Sequence, residues 1–168
     1  MSGAPPRRAT APSVDIQIRS ALWHGEKAAG QTVKNAVAAA ASVLSTAGGE
    51  VAILLTDDEA IRALNRQWRG IDKPTNVLSF PSARPGIARF LGDIVIAYET
   101  LKRECSEEGR EFHHHLAHLT VHGFLHLAGY DHEADADAIE MEGLESRIMA
   151  RLNMPDPYHG RDLETGKA

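Results

Sequence analysis

Val14, Ile16 and Ile18 alternate with Asp15 and Gln17, the period-two pattern of a half-buried strand. From about Lys27 to Thr46 the step changes. Val33, Val37, Ala40 and Leu44 recur every three or four residues, which predicts a helix stopped by Gly48-Gly49. Val51 to Leu55 is an unbroken apolar run and reads as an interior strand. Thr56, with Glu59 three residues on, has the form of a capping box. It opens a helix that carries Ile61, Leu64 and Trp68 and ends at Gly70. A loop, IDKPT, leads to a short strand, Val77 to Phe80, and Pro81 and Pro85-Gly86 mark a further loop. Ile94, Val95 and Ile96 form the next strand. Three helices follow, over roughly Tyr98 to Glu108, Arg110 to Leu127 and Ala134 to Leu152. In the last of them Met141, Leu144, Ile148 and Leu152 are the expected buried stripe, and Pro155 and Pro157 end it.

These elements predict an α+β fold: a mixed sheet of about four strands packed against helices, with a helical C-terminal half. Residues 1–12 are expected as a flexible tail, 13–153 as a single domain and 154–168 as a C-terminal tail. The chain shows no internal repeat.

Composition narrows the class. With 168 residues, 43% hydrophobic and 24% charged, the chain has enough apolar material for one soluble core. Cys105 is the sole cysteine, which excludes an intramolecular disulfide and a cysteine-based zinc site and fits a reducing cytoplasm. The N-terminus has arginines but no apolar stretch behind them, and the Ala36–Leu44 run is too short to span a bilayer. The expected location is cytoplasmic, with no membrane partner.

The net charge of −5 speaks against nucleic acid until its distribution is read. Between Arg62 and Gly92, Arg62, Arg66, Arg69, Lys73, Arg84 and Arg89 face Asp72 alone, so this stretch carries +5 and the remainder −10. A basic strip on an acidic protein can bind a phosphate backbone, although on charge alone it reads as a solvated helix and loop.

Candidate chemistry lies in the histidines. Six of the nine fall between His113 and His126, and His132 follows. Helix residues four apart share a face, so His122 and His126 project together, spaced for Zn–N bonds of about 2.0–2.1 Å. Gly129 can end the helix and turn the chain so that His132 reaches the same ion. Three imidazoles leave a fourth tetrahedral position open, as in a catalytic zinc site. His118 extends the series, but eight helical residues rise about 12 Å, too far for His118 and His126 to share one ion. His118 is therefore expected beside the site or on the surface. His24, His159 and the triplet His113–His115 are expected to be ordinary side chains.

The spacing also matches H-E-x-x-H-x-x-G-x-x-H metallopeptidases, except that Gly123 stands where those enzymes carry their glutamate base. A peptidase would lack its usual proton carrier.

The segment HGFLHLAGYDH (122–132) resembles the signature of the YbeY family, the bacterial rRNA maturation endoribonucleases. LNRQWRGIDKPTNVLSF (64–80) and LGDIVIA (91–97) resemble two further stretches of that family, and the likeness extends over about residues 14–152. Trp68 stands where an aromatic, often tyrosine, is usual in that family, and Asn76 where aspartate is common. The resemblance implies a zinc-dependent endoribonuclease that prefers single strands. It would act in 16S rRNA 3′-end maturation and ribosome quality control, with precursor rRNA and the small ribosomal subunit as partners. It implies His122, His126 and His132 as ligands of one Zn2+, with His122 and Arg69 the catalytically important pair. Such chemistry is coherent: zinc polarises a phosphate oxygen, Arg69 offers a bidentate guanidinium and the basic strip guides the strand. Trp68 is expected as a core residue of its helix, with base stacking as the alternative. Asp131 would orient a ligand's ring nitrogen or cap the last helix, and Asp93 would support the site or merely start a strand. The competing readings are a metallopeptidase and a ribosome-assembly binding protein with structural zinc.

Overall fold

The computed structural model describes residues 10–83 and 89–158. Most of the expected N-terminal tail, the Pro85-Gly86 turn, Arg84 and His159 lie outside the described residues. Among the described residues ten elements follow one another: β1 (Ser13–Ile18), a 3-10 turn (Ala21–Gly25), α1 (Ala29–Val43), β2 (Glu50–Thr56), α2 (Asp58–Arg69), β3 (Val77–Pro81), β4 (Phe90–Ala97), α3 (Tyr98–Glu108), α4 (Phe112–Leu127) and α5 (Asp135–Arg151). The fold is α+β, as expected. The strands form one mixed sheet in the order β1-β2-β4-β3, with β1, β2 and β4 parallel and β3 antiparallel at the edge beside β4.

Strand alternation divides the core. Val51, Ile53, Leu55, Ile94 and Ile96 face α1, α3, α4 and α5 across the larger cluster, where Trp23 of the 3-10 turn is also buried. The Trp23 indole N–H donates to the Thr56 carbonyl at 2.8 Å. Leu78, Val95 and Ala97 face the opposite way, onto Ile61 and Leu64 of α2. Both faces of the interior strands are therefore covered, which explains the continuous apolar runs of β2 and β4.

The capping expectation for α2 is corrected. Thr56 is the last residue of β2, buried and paired with Ala97. Asp57, in extended conformation, is the cap, and its Oδ1 accepts from the Ala60 N–H at 2.9 Å. The trailing stripe of α5 is corrected too: Met141, Glu145, Ile148 and Met149 are buried, while Leu144 and Leu152 are only partly so. Trp68 is not a core residue, being 64% exposed.

Two glycines set the position of α4. A Cβ on Gly92 would stand 2.4 Å from the Phe80 carbonyl and 2.7 Å from Leu127, and one on Gly123 would stand 2.9 Å from Ile94 and 3.0 Å from Ser79. The helix therefore lies directly on β3 and β4, and the Ser79 hydroxyl donates to the Gly123 carbonyl at 3.2 Å. Nine of its sixteen residues are buried between the sheet and the neighbouring helices. Among the described residues, no helix is long and apolar enough to cross a membrane.

Candidate metal centre

The C-terminal half of α4 is buried against the sheet, and its exposed polar edge faces α5 and the turn that follows. His122 and His126 point there, one turn apart. The helix closes through Tyr130 N–H to Leu125 O at 3.0 Å, with Gly129 at φ 96 reversing the chain. That reversal returns His132. Ring centroids lie 4.6 Å apart for His122–His126, 5.1 Å for His126–His132 and 5.6 Å for His122–His132. One nitrogen from each ring falls within 4.8 Å of the other two, a grouping that can hold a metal ion.

The hydrogen bonds around the rings set where their lone pairs point. His126 Nδ1 lies 2.9 Å from the Tyr130 carbonyl, which only accepts, so that nitrogen carries the proton. His122 Nδ1 lies 2.9 Å from Glu145 Oε1, a carboxylate that also accepts. With both Nδ1 atoms protonated, the two Nε2 lone pairs face each other at 3.0 Å. In neutral rings this contact is repulsive, and a shared cation turns it into ligation. Tetrahedral zinc with bonds of about 2.0–2.1 Å separates its nitrogens by about 3.4 Å, close to this spacing. The three residues thus fit a metal. His126 is further disposed to stay neutral, since burial, then the neighbouring His122 and His132, depress its pKa more than the Tyr130 contact raises it.

Glu145 was missed by sequence reasoning. Buried to 1% exposure on α5, it takes His122 Nδ1 on one oxygen, and His118 Nε2 and the Tyr158 hydroxyl, both at 2.5 Å, on the other. Burial alone would raise its pKa, but hydrogen bonds from His118 and His122 outweigh it and hold the group at about 2. The available signal was its position four residues after Met141 and three before Ile148, a carboxylate on an apolar stripe. Tyr158 reaches it because the chain after α5 folds back: Met154 packs on the core and Arg110 donates to the Pro157 carbonyl at 2.9 Å.

The other expectations divide. His118 lies beside the site rather than in it, 6.4 Å from His122 between centroids. Asp131 neither orients a ring nor caps α5: its carboxylate accepts from the His132 N–H at 2.7 Å, and the α5 cap is Ala134. Asp93 pairs with Phe80 across β3–β4, on the sheet face away from α4. His115 is not idle either. It is buried, with Nε2 2.9 Å from Glu104, whose carboxylate also accepts from the Asn76 amide.

A cleft of about 1150 Å³ runs from His122 and His132 past His118 and His115 to Asn76 and Glu104. Glu104, Glu108, Glu111, Glu142 and Asp156 make its wall acidic. Arg66, Arg69 and Lys73 are not on that wall; they stand exposed on and after α2. The basic side chains of α2 thus belong to the helix that packs on the sheet face opposite α4.

Residues 16–153 match the family described as Endoribonuclease YbeY. The chain is 52% identical over 158 residues to an Endoribonuclease YbeY of Rhodopseudomonas palustris, covering 90% of this chain and 83% of that protein. A Bradyrhizobium relative of the same name is 52% identical over 160 residues, covering 90% and 95%, and one from Nitrobacter hamburgensis 54% over 156 residues, covering 88% and 82%. The solution structure of TM1509 from Thermotoga maritima aligns with 86% of this chain and 97% of its own at 24% identity, with a TM-score of 0.47. The family match over residues 16–153 and the 52–54% identity to these named relatives decide the relationship, and the chain belongs to the Endoribonuclease YbeY family.

Proposed function

We propose that this protein is a zinc-dependent endoribonuclease that cuts single-stranded RNA, acting in the cytoplasm on precursor 16S rRNA in 3′-end maturation and ribosome quality control. The observation that carries the reading is the convergence of the His122, His126 and His132 nitrogens, with the Nε2 lone pairs of His122 and His126 turned on each other. Membership of an endoribonuclease family supplies RNA as the substrate class.

His122, His126 and His132 would hold one zinc ion, which when bound supplies Lewis-acid charge for a nonbridging phosphate oxygen and for the leaving oxygen. The chain's own groups do the rest. Glu145 fixes the His122 ring, and with three donors on its two oxygens it is a positioning group rather than a proton carrier. The Tyr130 carbonyl does the same for His126. Arg69, exposed at the end of α2, offers two parallel N–H donors to a phosphate.

The peptidase reading has little support in this fold. At position 123 a side chain points at Ile94 and Ser79, into the sheet, so the missing glutamate has no room there. The test is complementation of a strain lacking the protein, read on precursor 16S rRNA. Wild type should restore the mature 3′ end, and His122→Ala and Arg69→Ala should not. Restoration by the triple histidine variant would overturn the nuclease reading in favour of a binding role.

A further inference from the structure

The two tryptophans have opposite surroundings. Trp23 is 1% exposed and fully engaged in the core, whereas Trp68, in the last turn of α2, is 64% exposed. Among the described residues its one ring contact is edge-to-face with Phe80, centroids 6.2 Å apart, which leaves most of the indole in water. A large aromatic at a helix end, left mostly in solvent, offers its ring face to a ligand rather than to the core.

Its neighbours carry the charge. Arg66, Arg69 and Lys73 are exposed and have no ion-pair partner among the described residues, whereas Arg62 is tied to Asp72 at 2.9 Å. The loop bearing Lys73 is built rather than slack. Gly70 at φ 71 turns the chain, the Ile71 N–H donates to Asn65 O, and the Asn65 amide donates to the Lys73 carbonyl at 2.9 Å. The Phe80 ring packs with Ile61 and Leu64 of α2 on the sheet face away from α4, while its backbone carbonyl lies on the same strand, β3, that carries Ser79 against Gly123 of α4. The cleft beside the centre carries Glu104, Glu108, Glu111, Glu142 and Asp156 against Arg110, a less favourable lining for a phosphate backbone than the cations of α2.

Resting on the endoribonuclease reading, we propose that Trp68, with Arg66 and Lys73, is a stacking subsite for one unpaired nucleobase of the bound RNA, its flanking phosphates held by the cations. A base inside a duplex has both faces covered by its neighbours, so the subsite selects single strands without reading sequence.

The test uses the full-length zinc-loaded chain and a 2′-O-methyl RNA strand of about 12 nucleotides, free or annealed to its complement. Tryptophan fluorescence should be quenched saturably by the single strand and much less by the duplex, and the quench should vanish in Trp68→Leu, where only buried Trp23 emits. Trp68→Leu should weaken single-strand binding about 5- to 150-fold, and Trp68→Phe by clearly less. Arg66→Gln and Lys73→Gln should each lower the slope of log affinity against log salt by about 0.7. Binding by Trp68→Leu within twofold of wild type, or equal loss for strand and duplex, would overturn the subsite. In either case cleavage of RNA by wild type shows that the nuclease reading itself stands. A wild type that neither binds nor cuts RNA overturns both.

Discussion

Glu145 makes the sharpest prediction about the metal centre. It is 1% exposed, and its two oxygens serve three donors, His118, His122 and Tyr158. Glu145→Ala leaves those donors facing a hole. A buried donor stripped of its partner costs about 1–3 kcal/mol, and His118 and Tyr158 border the cleft, where water can reach them. The metal-free protein should lose about 3–5 kcal/mol, the range for removing one member of a buried polar pair. The His122 ring also loses its anchor and the carboxylate that makes it a better base, so zinc affinity should fall about 10- to 100-fold. Glu145→Gln is the internal control. Its oxygen can still accept from His122 Nδ1, and its amide can donate to Tyr158 or to His118 in the other tautomer. It should keep most of the stability and bind zinc more weakly than wild type but better than the alanine variant. Urea unfolding of the metal-free chains and competitive zinc titration measure the two quantities. Alanine within about 1 kcal/mol of wild type in stability, with unchanged zinc affinity, would refute the claim that this carboxylate holds His122.

Four further outcomes follow from the packing and the hydrogen bonds. Gly123→Ala should destabilise by about 1 kcal/mol, because the clash with Ile94 and Ser79 outweighs the gain in helix propensity. Gly123→Glu, which restores the peptidase motif, should fail to fold rather than cut peptides, as thermal unfolding and a peptide-library digest would show. Asp57→Ala removes the α2 cap and should cost about 1 kcal/mol in chemical unfolding, with zinc binding unchanged. Glu104 has its pKa lowered from 4.5: burial pushes it up, and the hydrogen bonds from His115 and Asn76 more than reverse that. A depressed carboxylate stabilises the fold above its unfolded pKa and loses that contribution as pH falls through the folded value. Unfolding midpoints measured downward from pH 4.5 should therefore drop more steeply for wild type than for Glu104→Gln.

The legible part of the protein is the part governed by short-range spacing. His122, His126, Gly129 and His132 follow from one helical turn and one chain reversal, and both are local. Strand and helix order were likewise written in periods of two and three to four. What escaped depends on contacts between distant segments. Glu145 meets His122 only because α5 packs across α4, and Tyr158 only because the chain doubles back after α5. Trp68 sits in an apolar helical register, but Ile61 and Leu64 are the α2 side chains that pack into the cluster, and Trp68 touches Phe80 only by its edge. The Thr56 misreading has a simple origin. Threonine and aspartate both cap helices, and the strand pairing of Thr56 with Ala97 decided between them.

The central claim is that the three histidines form one metal centre on which RNA cleavage depends. The direct measurement is zinc content and single-stranded RNA cleavage on the same preparations of wild type, His122→Ala, His126→Ala and His132→Ala. The account predicts about one zinc per wild-type chain, with metal and cleavage lost together in each variant. Full cleavage by variants that have lost the metal, or stoichiometric zinc retained in all three, would contradict it.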